Sequence, residues 1–203
     1  MLNTQAKGLL LDTTRCIGCG ACALACKERN GLPKTSEVVL EDKLSDKTFS
    51  TVNQVGNRYV RRMCMHCATP SCASVCPVAA FEKTPAGPVV YHESRCMGCR
   101  YCMIACPFGI PRYEWEKKAP LVRKCDLCAD RLAKGLKTAC STACPTGATT
   151  FGTRDALEPR PGRYREHIYG FEEVGGTSVL LISDARPEEL GYPAGLDDTP
   201  PAN

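Results

Sequence analysis

What this sequence lacks narrows its class before any motif is read. No apolar run approaches the ~18 residues that a bilayer-spanning helix needs; the longest late run covers residues 179–182. Residues 1–14 hold a short apolar run at 8–11, with no twin-arginine pair and no signal-peptide h-region. The expectation is a chain with neither an export signal nor a membrane span of its own. No lysine or arginine run is long enough to argue for nucleic acid. There is no P-loop, no G-x-G-x-x-G after a strand and no nucleophile elbow, so no catalytic residue is assigned and the chain is read as non-catalytic by itself. Histidine is scarce, and His92 and His167 have no companions at ligand spacing.

Cysteine is what the sequence has in excess. Sixteen of 203 residues are cysteine, a level near that of disulfide scaffolds, so disulfides, zinc and iron-sulfur all compete. The spacing sorts the sixteen into four groups of four. Group one is Cys16, Cys19, Cys22 and Cys26; group two is Cys64, Cys67, Cys72 and Cys76, followed by Pro77. Group three is Cys96, Cys99, Cys102 and Cys106, followed by Pro107; group four is Cys125, Cys128, Cys140 and Cys144, followed by Pro145.

Groups one and three follow C-x2-C-x2-C-x3-C, a loop that turns three thiolates toward one centre while the fourth cysteine serves the other cluster of a pair. Proline after that fourth cysteine ends regular structure, because its φ is fixed and its N–H is missing. Group one has Lys27 in place of that proline. Disulfides need paired Cα atoms and an oxidising compartment, which these convergent triplets do not suggest. Zinc knuckles draw two and two from separated pairs, a pattern only group four, C-x2-C-x11-C-x3-C, could imitate.

Which groups pair follows from a split repeat. Between groups two and three, residues 76–99 read as a ferredoxin linker, with a strand at 79–82, a Pro/Gly turn at 84–88 and a strand at 89–91. Its two halves recur at the ends of the cysteine region: CPTGATTFG at 144–152 matches the first half and LLLDTTRCIGC at 9–19 the second. A strand at 148–151 is therefore expected beside one at 9–11. The fold class expected is α+β, with two bacterial-ferredoxin-like two-cluster modules, one inserted in the other, built of short β-hairpins and short helices. The outer module is 8–60 plus 107–152, the inserted module 61–106, and a C-terminal extension covers 153–203, with one strand near 178–183 and a tail that wraps a partner or the surface.

The swap rule then assigns four [4Fe-4S] clusters. Cys16, Cys19, Cys22 and Cys144 hold cluster A; Cys26, Cys125, Cys128 and Cys140 hold cluster B. Cys64, Cys67, Cys72 and Cys106 hold cluster C; Cys76, Cys96, Cys99 and Cys102 hold cluster D. With thiols counted neutral the net charge is +4; four loaded sites, each adding about −2, bring the chain to roughly −4.

Other residues receive ordinary readings. His66, between Cys64 and Cys67, is expected to pack or lie exposed; Tyr113 and Trp115 are expected to cover a cluster. Arg62, Arg100, Arg123 and Lys124 flank cysteines, where their charge could raise a potential or simply be solvated. Residues 30–57 are expected to form a surface hairpin, with strands at 38–40 and 49–52, and 129–137 a short helix.

The four spacings, their order, and the strings CMHC, CPVAA, GCRYCMIACPFGIPRY, KCDLC and ACPTGATTFG resemble the four-cluster beta subunits of respiratory oxidoreductases. That family serves formate dehydrogenase, dimethyl sulfoxide reductase, polysulfide- and nitrite-reducing systems and membrane [NiFe] hydrogenases. The resemblance covers residues 8–154, and YGFEEVGGTSVLLIS at 169–183 extends it toward the formate dehydrogenase and hydrogenase branch. It implies an electron-transfer subunit between a catalytic molybdopterin (Mo/W) or [NiFe] subunit and a membrane quinone-reactive subunit or cytochrome. It also implies membrane association through partners, in the cytoplasm or after export with a signal-bearing catalytic subunit. A free polyferredoxin shuttle and a structural zinc protein are the rival readings.

Overall fold

The structure, a computed structural model, describes residues 3–158 and 167–196. In chain order the first half runs β1 (Lys7–Asp12), α1 (Ala21–Arg29), β2 (Thr51–Val55), β3 (Arg58–Arg62), α2 (Ser71–Ser74), β4 (Phe81–Lys83), β5 (Val89–Tyr91) and α3 (Tyr101–Ala105). The second half runs β6 (Arg112–Tyr113), β7 (Val122–Arg123), α4 (Ala129–Ala133), α5 (Ala139–Thr142), β8 (Thr149–Thr153), α6 (Arg154–Leu157), β9 (Ile168–Tyr169) and β10 (Val179–Ile182). The result is a small mixed α/β fold of short strands and short helices.

A four-stranded sheet, in the order β8-β1-β10-β9, joins the two ends of the cysteine region. β1 pairs antiparallel with β8, placing Leu9 opposite Phe151 and Leu11 opposite Thr149, as the split repeat leads one to expect. On its other edge β1 runs parallel to β10, with Leu9 opposite Val179. All four residues of β10 are buried, the apolar run typical of a strand covered on both faces. Gly8 makes this approach possible, since a Cβ there would overlap the carbonyl of Ser178. Around this sheet Leu9, Leu11, Val52, Val60, Met65, Tyr169, Leu181 and Tyr192 form one core, while Phe81, Val89 and Val122 anchor a second, smaller one.

Three two-stranded hairpins complete the strands: β2-β3, β4-β5 and β6-β7. β4-β5 is the linker hairpin expected between groups two and three, with Phe81 opposite Tyr91. The expected hairpin of 38–40 with 49–52 is not formed. Val39–Glu41 is a 3-10 turn, and β2 pairs instead with β3, Val52 lying opposite Arg61. Gly56 and Asn57 explain the difference: Gly56 has φ 57°, which lets a two-residue turn close the local hairpin.

The helices are short wherever proline follows the last cysteine. α3 has five residues and ends at Cys106-Pro107, whereas α1, lacking that proline, runs on for nine. The extra turn has a purpose in packing. Lys27 is buried and meets Asp42 at 2.9 Å, while also donating to the Thr35 hydroxyl and to the Pro33 carbonyl at 3.3 Å. Asp42 in turn accepts from Thr35 and Ser36, and Asn53 ties the same turn to β2 through the carbonyls of Leu40 and Asp42. Residues 33–53 are thereby fastened to the helix that carries Cys22 and Cys26.

The C-terminal part folds back on the rest of the chain. Tyr192 is buried, donates to the Arg61 carbonyl and lies under the guanidinium of Arg62 at 4.7 Å. Residues 197–203, the end of the expected tail, lie outside the described residues, as do 159–166. Among the described residues no helix is long and apolar enough to cross a membrane.

Breaking the buried pair tests this packing. Asp42→Ala should destabilise the protein by about 3–5 kcal/mol, because Lys27 is left charged and buried, and Lys27→Met with Asp42→Ala should recover much of the loss, read by denaturant unfolding. Although burial raises the Asp42 pKa, hydrogen bonds from Thr35, Lys27 and Ser36 outweigh it and hold the carboxyl below the usual range. Its contribution is therefore present above the ordinary carboxylate range and fades as pH falls through the lower folded value.

Candidate metal centres

All four C-x2-C loops share one backbone device. The residue before the second cysteine has a left-handed backbone in each: Gly18 at φ 71°, His66 at 52°, Gly98 at 76° and Leu127 at 55°. Glycine adopts this freely; His66 and Leu127 do so against a steric penalty that surrounding structure must offset. The turn aims backbone N–H groups at sulfur: Gly98 N donates to Cys96 Sγ at 3.4 Å and Leu127 N to Cys125 Sγ at 3.3 Å. Further N–H groups reach Cys76 from Ala80 at 3.2 Å and Cys144 from Thr149 at 3.4 Å. Such donors stabilise sulfur that carries negative charge.

The helices that follow these loops meet in pairs. α1 of group one packs on α5 of group four, and α2 of group two packs on α3 of group three. Two cavities open beside these contacts, and thiols line both. The larger, about 470 Å3 of atom-free space that includes open solvent, is lined by Cys16, Cys19, Cys22 and Cys144, with Arg61 and Tyr59 on its wall. The other, about 350 Å3 on the same measure, is lined by Cys64, Cys67, Cys72 and Cys106, with Lys124, Pro107 and Phe108. Elsewhere Cys26 has Cys140 and Cys128 as its thiol neighbours, Cys125 faces Cys26, and Cys102 faces Cys76, Cys96 and Cys99.

These thiols are poorly placed to stay empty. Only Cys19 of the sixteen is exposed. Burial pushes the Cys26, Cys72 and Cys102 thiols up to about 12, through desolvation first and neighbouring thiols second. Cys144 moves the other way: burial raises it, but the Thr149 N–H and the Thr146 hydroxyl outweigh that and hold it below the ordinary thiol value. Four thiols around a cavity, with N–H groups directed at sulfur, fit a ligand core that supplies compensating positive charge.

Comparison with known proteins decides which core. A 4Fe-4S dicluster domain matches residues 55–154 and a 4Fe-4S binding domain matches residues 7–28. The chain is 34% identical over 242 residues to the hydrogenase-2 operon protein HybA of Escherichia coli O157:H7, covering 94% of this chain and 74% of that protein. It is 37% identical over 175 residues to the thiosulfate reductase electron transfer subunit PhsB of Salmonella typhi, covering 85% and 89%. The chain belongs to the family of iron-sulfur electron-transfer subunits. Its iron-sulfur sites, rather than zinc, account for the thiols. A protein of Nitratidesulfovibrio vulgaris strain Hildenborough is 42% identical over 198 residues, and the chain spans 54% of that relative's length.

Around the sites of this iron-sulfur subunit, charged side chains divide into those that face thiols and those that do not. Lys124 lies in the wall of the second cavity and donates to the carbonyls of Val89 and Cys125. Lys83 is nearby, its three donors used on the carbonyls of His66 and Gly87 and on the Ser178 hydroxyl; burial lowers it to about 8, against the pull of Cys67 and Cys64. Arg62 reaches the Gly191 carbonyl, Arg123 pairs with Glu114 and Glu93, and Arg100 lies over the rings of Tyr113 and Trp115. Arg29 forks onto Asp126, between Cys125 and Cys128, at 2.7 and 2.8 Å and so ties α1 to group four.

One expectation about side chains needs revision, and another is met. Trp115 is 66% exposed, stacked edge-on against Tyr113 at 5.0 Å, and covers no buried site. His66 packs fully buried: Nδ1 accepts from the Val89 N–H at 2.9 Å, leaving the proton on Nε2, which has no partner among the described residues. Burial, then Lys124 and Lys83, hold its pKa well below the usual histidine value, so the ring is neutral. Arg61 is the residue that sequence reasoning passed over. It sits beside Arg62 in the same string, and only the pairing with buried Val52 turns it inward.

The loop geometry makes a direct test. Gly18→Val adds a β-branched side chain at positive φ and meets the Tyr59 ring, so the purified protein should lose about one cluster's worth of iron, roughly four atoms per chain. His66→Gly, which relieves the same backbone strain, should leave the iron content at the native level.

Proposed function

We propose that this chain relays single electrons through four [4Fe-4S] clusters between a catalytic molybdopterin (Mo/W) or [NiFe] subunit and a membrane quinone-reactive subunit or cytochrome. Cluster A belongs to Cys16, Cys19, Cys22 and Cys144, and cluster B to Cys26, Cys125, Cys128 and Cys140. Cluster C belongs to Cys64, Cys67, Cys72 and Cys106, and cluster D to Cys76, Cys96, Cys99 and Cys102. The observation that carries this reading is the lining of the two cavities: each combines three thiols of one motif with a fourth from a distant one. The common left-handed turn in all four loops supports four equivalent sites.

Bound clusters supply one-electron carriers whose potentials depend on charge, hydrogen bonds and burial. The protein's part is to hold them close and dry. Proximity of thiols across sites supports a single line, since Cys22 lies near Cys140, Cys125 near Cys64, and Cys72 near Cys102. The order would be A, B, C, D. The packing of α1 on α5 and of α2 on α3 supports an outer two-cluster module from 8–60 and 107–152 with a second module, 61–106, inserted in it. Residues 153–203 form the extension on this reading, and the chain joins the membrane through its partners. A relative described as an electron transfer subunit of a reductase favours a fixed subunit over a free shuttle.

Iron and acid-labile sulfide analysis of the purified chain should give about sixteen of each; zinc without iron would overturn the reading. Cys144→Ser should perturb the cluster held by Cys16, Cys19 and Cys22, and leave the one held by Cys125 intact in electron paramagnetic resonance. Affinity purification from native membranes should bring down a catalytic and a membrane subunit, whereas a lone chain would favour the shuttle.

A further inference from the structure

Among the described buried cations that meet no carboxylate, Lys124 and Arg154 included, Arg61 is the one that stands in the wall of the cavity lined by Cys16, Cys19, Cys22 and Cys144. Its side chain is shut in, with the residue 5% exposed. Nε donates to the Ser50 hydroxyl at 2.9 Å and Nη1 to the Thr149 hydroxyl at 3.2 Å, two neutral acceptors. The arginine ion pairs with carboxylates among the described residues belong to Arg29, Arg58, Arg123 and Arg186. The thiols beside Arg61 are Cys140, Cys22 and Cys26.

Those thiols come from two sites, Cys22 from A and Cys26 and Cys140 from B, and Arg61 also stands in the wall of the A cavity. Its position is held from behind as well, since Tyr192 from the C-terminal segment donates to its backbone carbonyl. A buried charge without a counter-ion is strongly unfavourable, and guanidinium stays protonated at any working pH. Arg61 is therefore a fixed positive charge whose compensation is the negative charge of two clusters.

We propose that Arg61 sets the reduction potentials of clusters A and B together, raising both and keeping the step between them small. The proposal rests on the four-cluster reading given above. Each added electron makes a site more negative, and a buried cation stabilises that change more strongly than one in water would. Because one guanidinium faces both sites, an electron passing from A to B stays within its field. Lys83 and Lys124 stand beside site C instead, and Arg100 beside site D is engaged by the surface rings of Tyr113 and Trp115. Arg61 acts through the clusters' electrostatics and ligates nothing.

The test uses the full chain with its clusters. Native protein should first show four reducible clusters by iron content and electron paramagnetic resonance; a smaller number overturns the four-cluster reading and this proposal with it. Arg61→Gln keeps a donor for Ser50 and Thr149 and removes the charge. In redox titrations followed by the same resonance, the reduced-to-oxidised ratio of A or B at a given potential should fall at least tenfold, about 59 mV for one electron. Clusters C and D should hold their native values, and Arg61→Lys should restore A and B. Unmoved A and B in loaded Arg61→Gln, or an equal shift of all four clusters, overturns the proposal. If Arg61→Gln fails to load, native protein labelled with nitrogen-15 in arginine decides. Pulsed resonance of reduced A or B should then detect an arginine nitrogen that vanishes in Arg61→Lys, and its absence in native protein overturns the proposal.

Discussion

Burial of thiolate sulfur is the constraint on which the rest of this structure depends. Sixteen cysteines occupy a chain in whose described residues the strands are two to six residues long and the longest helix has nine. Elements of that length bury too little apolar surface to hold one another firmly. The thiols lie where a larger domain would place leucine and valine, and Cys22, Cys64, Cys125 and Cys140 belong to the main core. Sulfur in that position resists ionisation until positive charge arrives, as the raised Cys26 and Cys72 values express. Cluster assembly and folding are therefore coupled, with assembly releasing the protons that burial had kept on sulfur.

Charge elsewhere in the chain is arranged around that burden. Three cationic groups beside the thiols, Arg61, Lys83 and Lys124, are buried or half-buried, each held by a different support. Arg61 is held by Ser50 and Thr149, Lys83 by Ser178 and two carbonyls, and Lys124 by the carbonyls of Val89 and Cys125. Lys27 is buried too, but its partner is Asp42, and its work is to fasten residues 33–53. The same residue type thus serves two ends, and what separates them is whether a carboxylate is within reach. The surface near the third cysteine group is different again. Met97, Tyr101, Ile104 and Trp115 stand exposed there, Ile104 at 86%.

Much of the fold could be read because the ferredoxin pattern writes both ligands and strands into a short repeat. CPTGATTFG and LLLDTTRCIGC predicted the β8-β1 pairing across more than a hundred residues, since each half resembles its counterpart in the 76–99 linker. The expected hairpin of 38–40 with 49–52 does not form, because the Gly56-Asn57 turn offers β2 a nearer partner. Trp115, expected to cover a site, stands at the surface in contact with Arg100.

The sequence alone determined the ligand chemistry. Four cysteine motifs, two of them at the ferredoxin spacing, the prolines that end α2, α3 and α5, and the family resemblance follow from residue identity and short-range geometry, which survive without knowledge of the fold. The tertiary structure decided which buried charges face those ligands. Arg61 and Arg62 are adjacent and chemically identical, yet one turns to Cys140, Cys22 and Cys26 and the other to Tyr192 and the surface. The Gly56-Asn57 turn sets Arg61 opposite Val52, and the packing of the core over that face of the hairpin, which no local pattern contains, is what makes it the buried one.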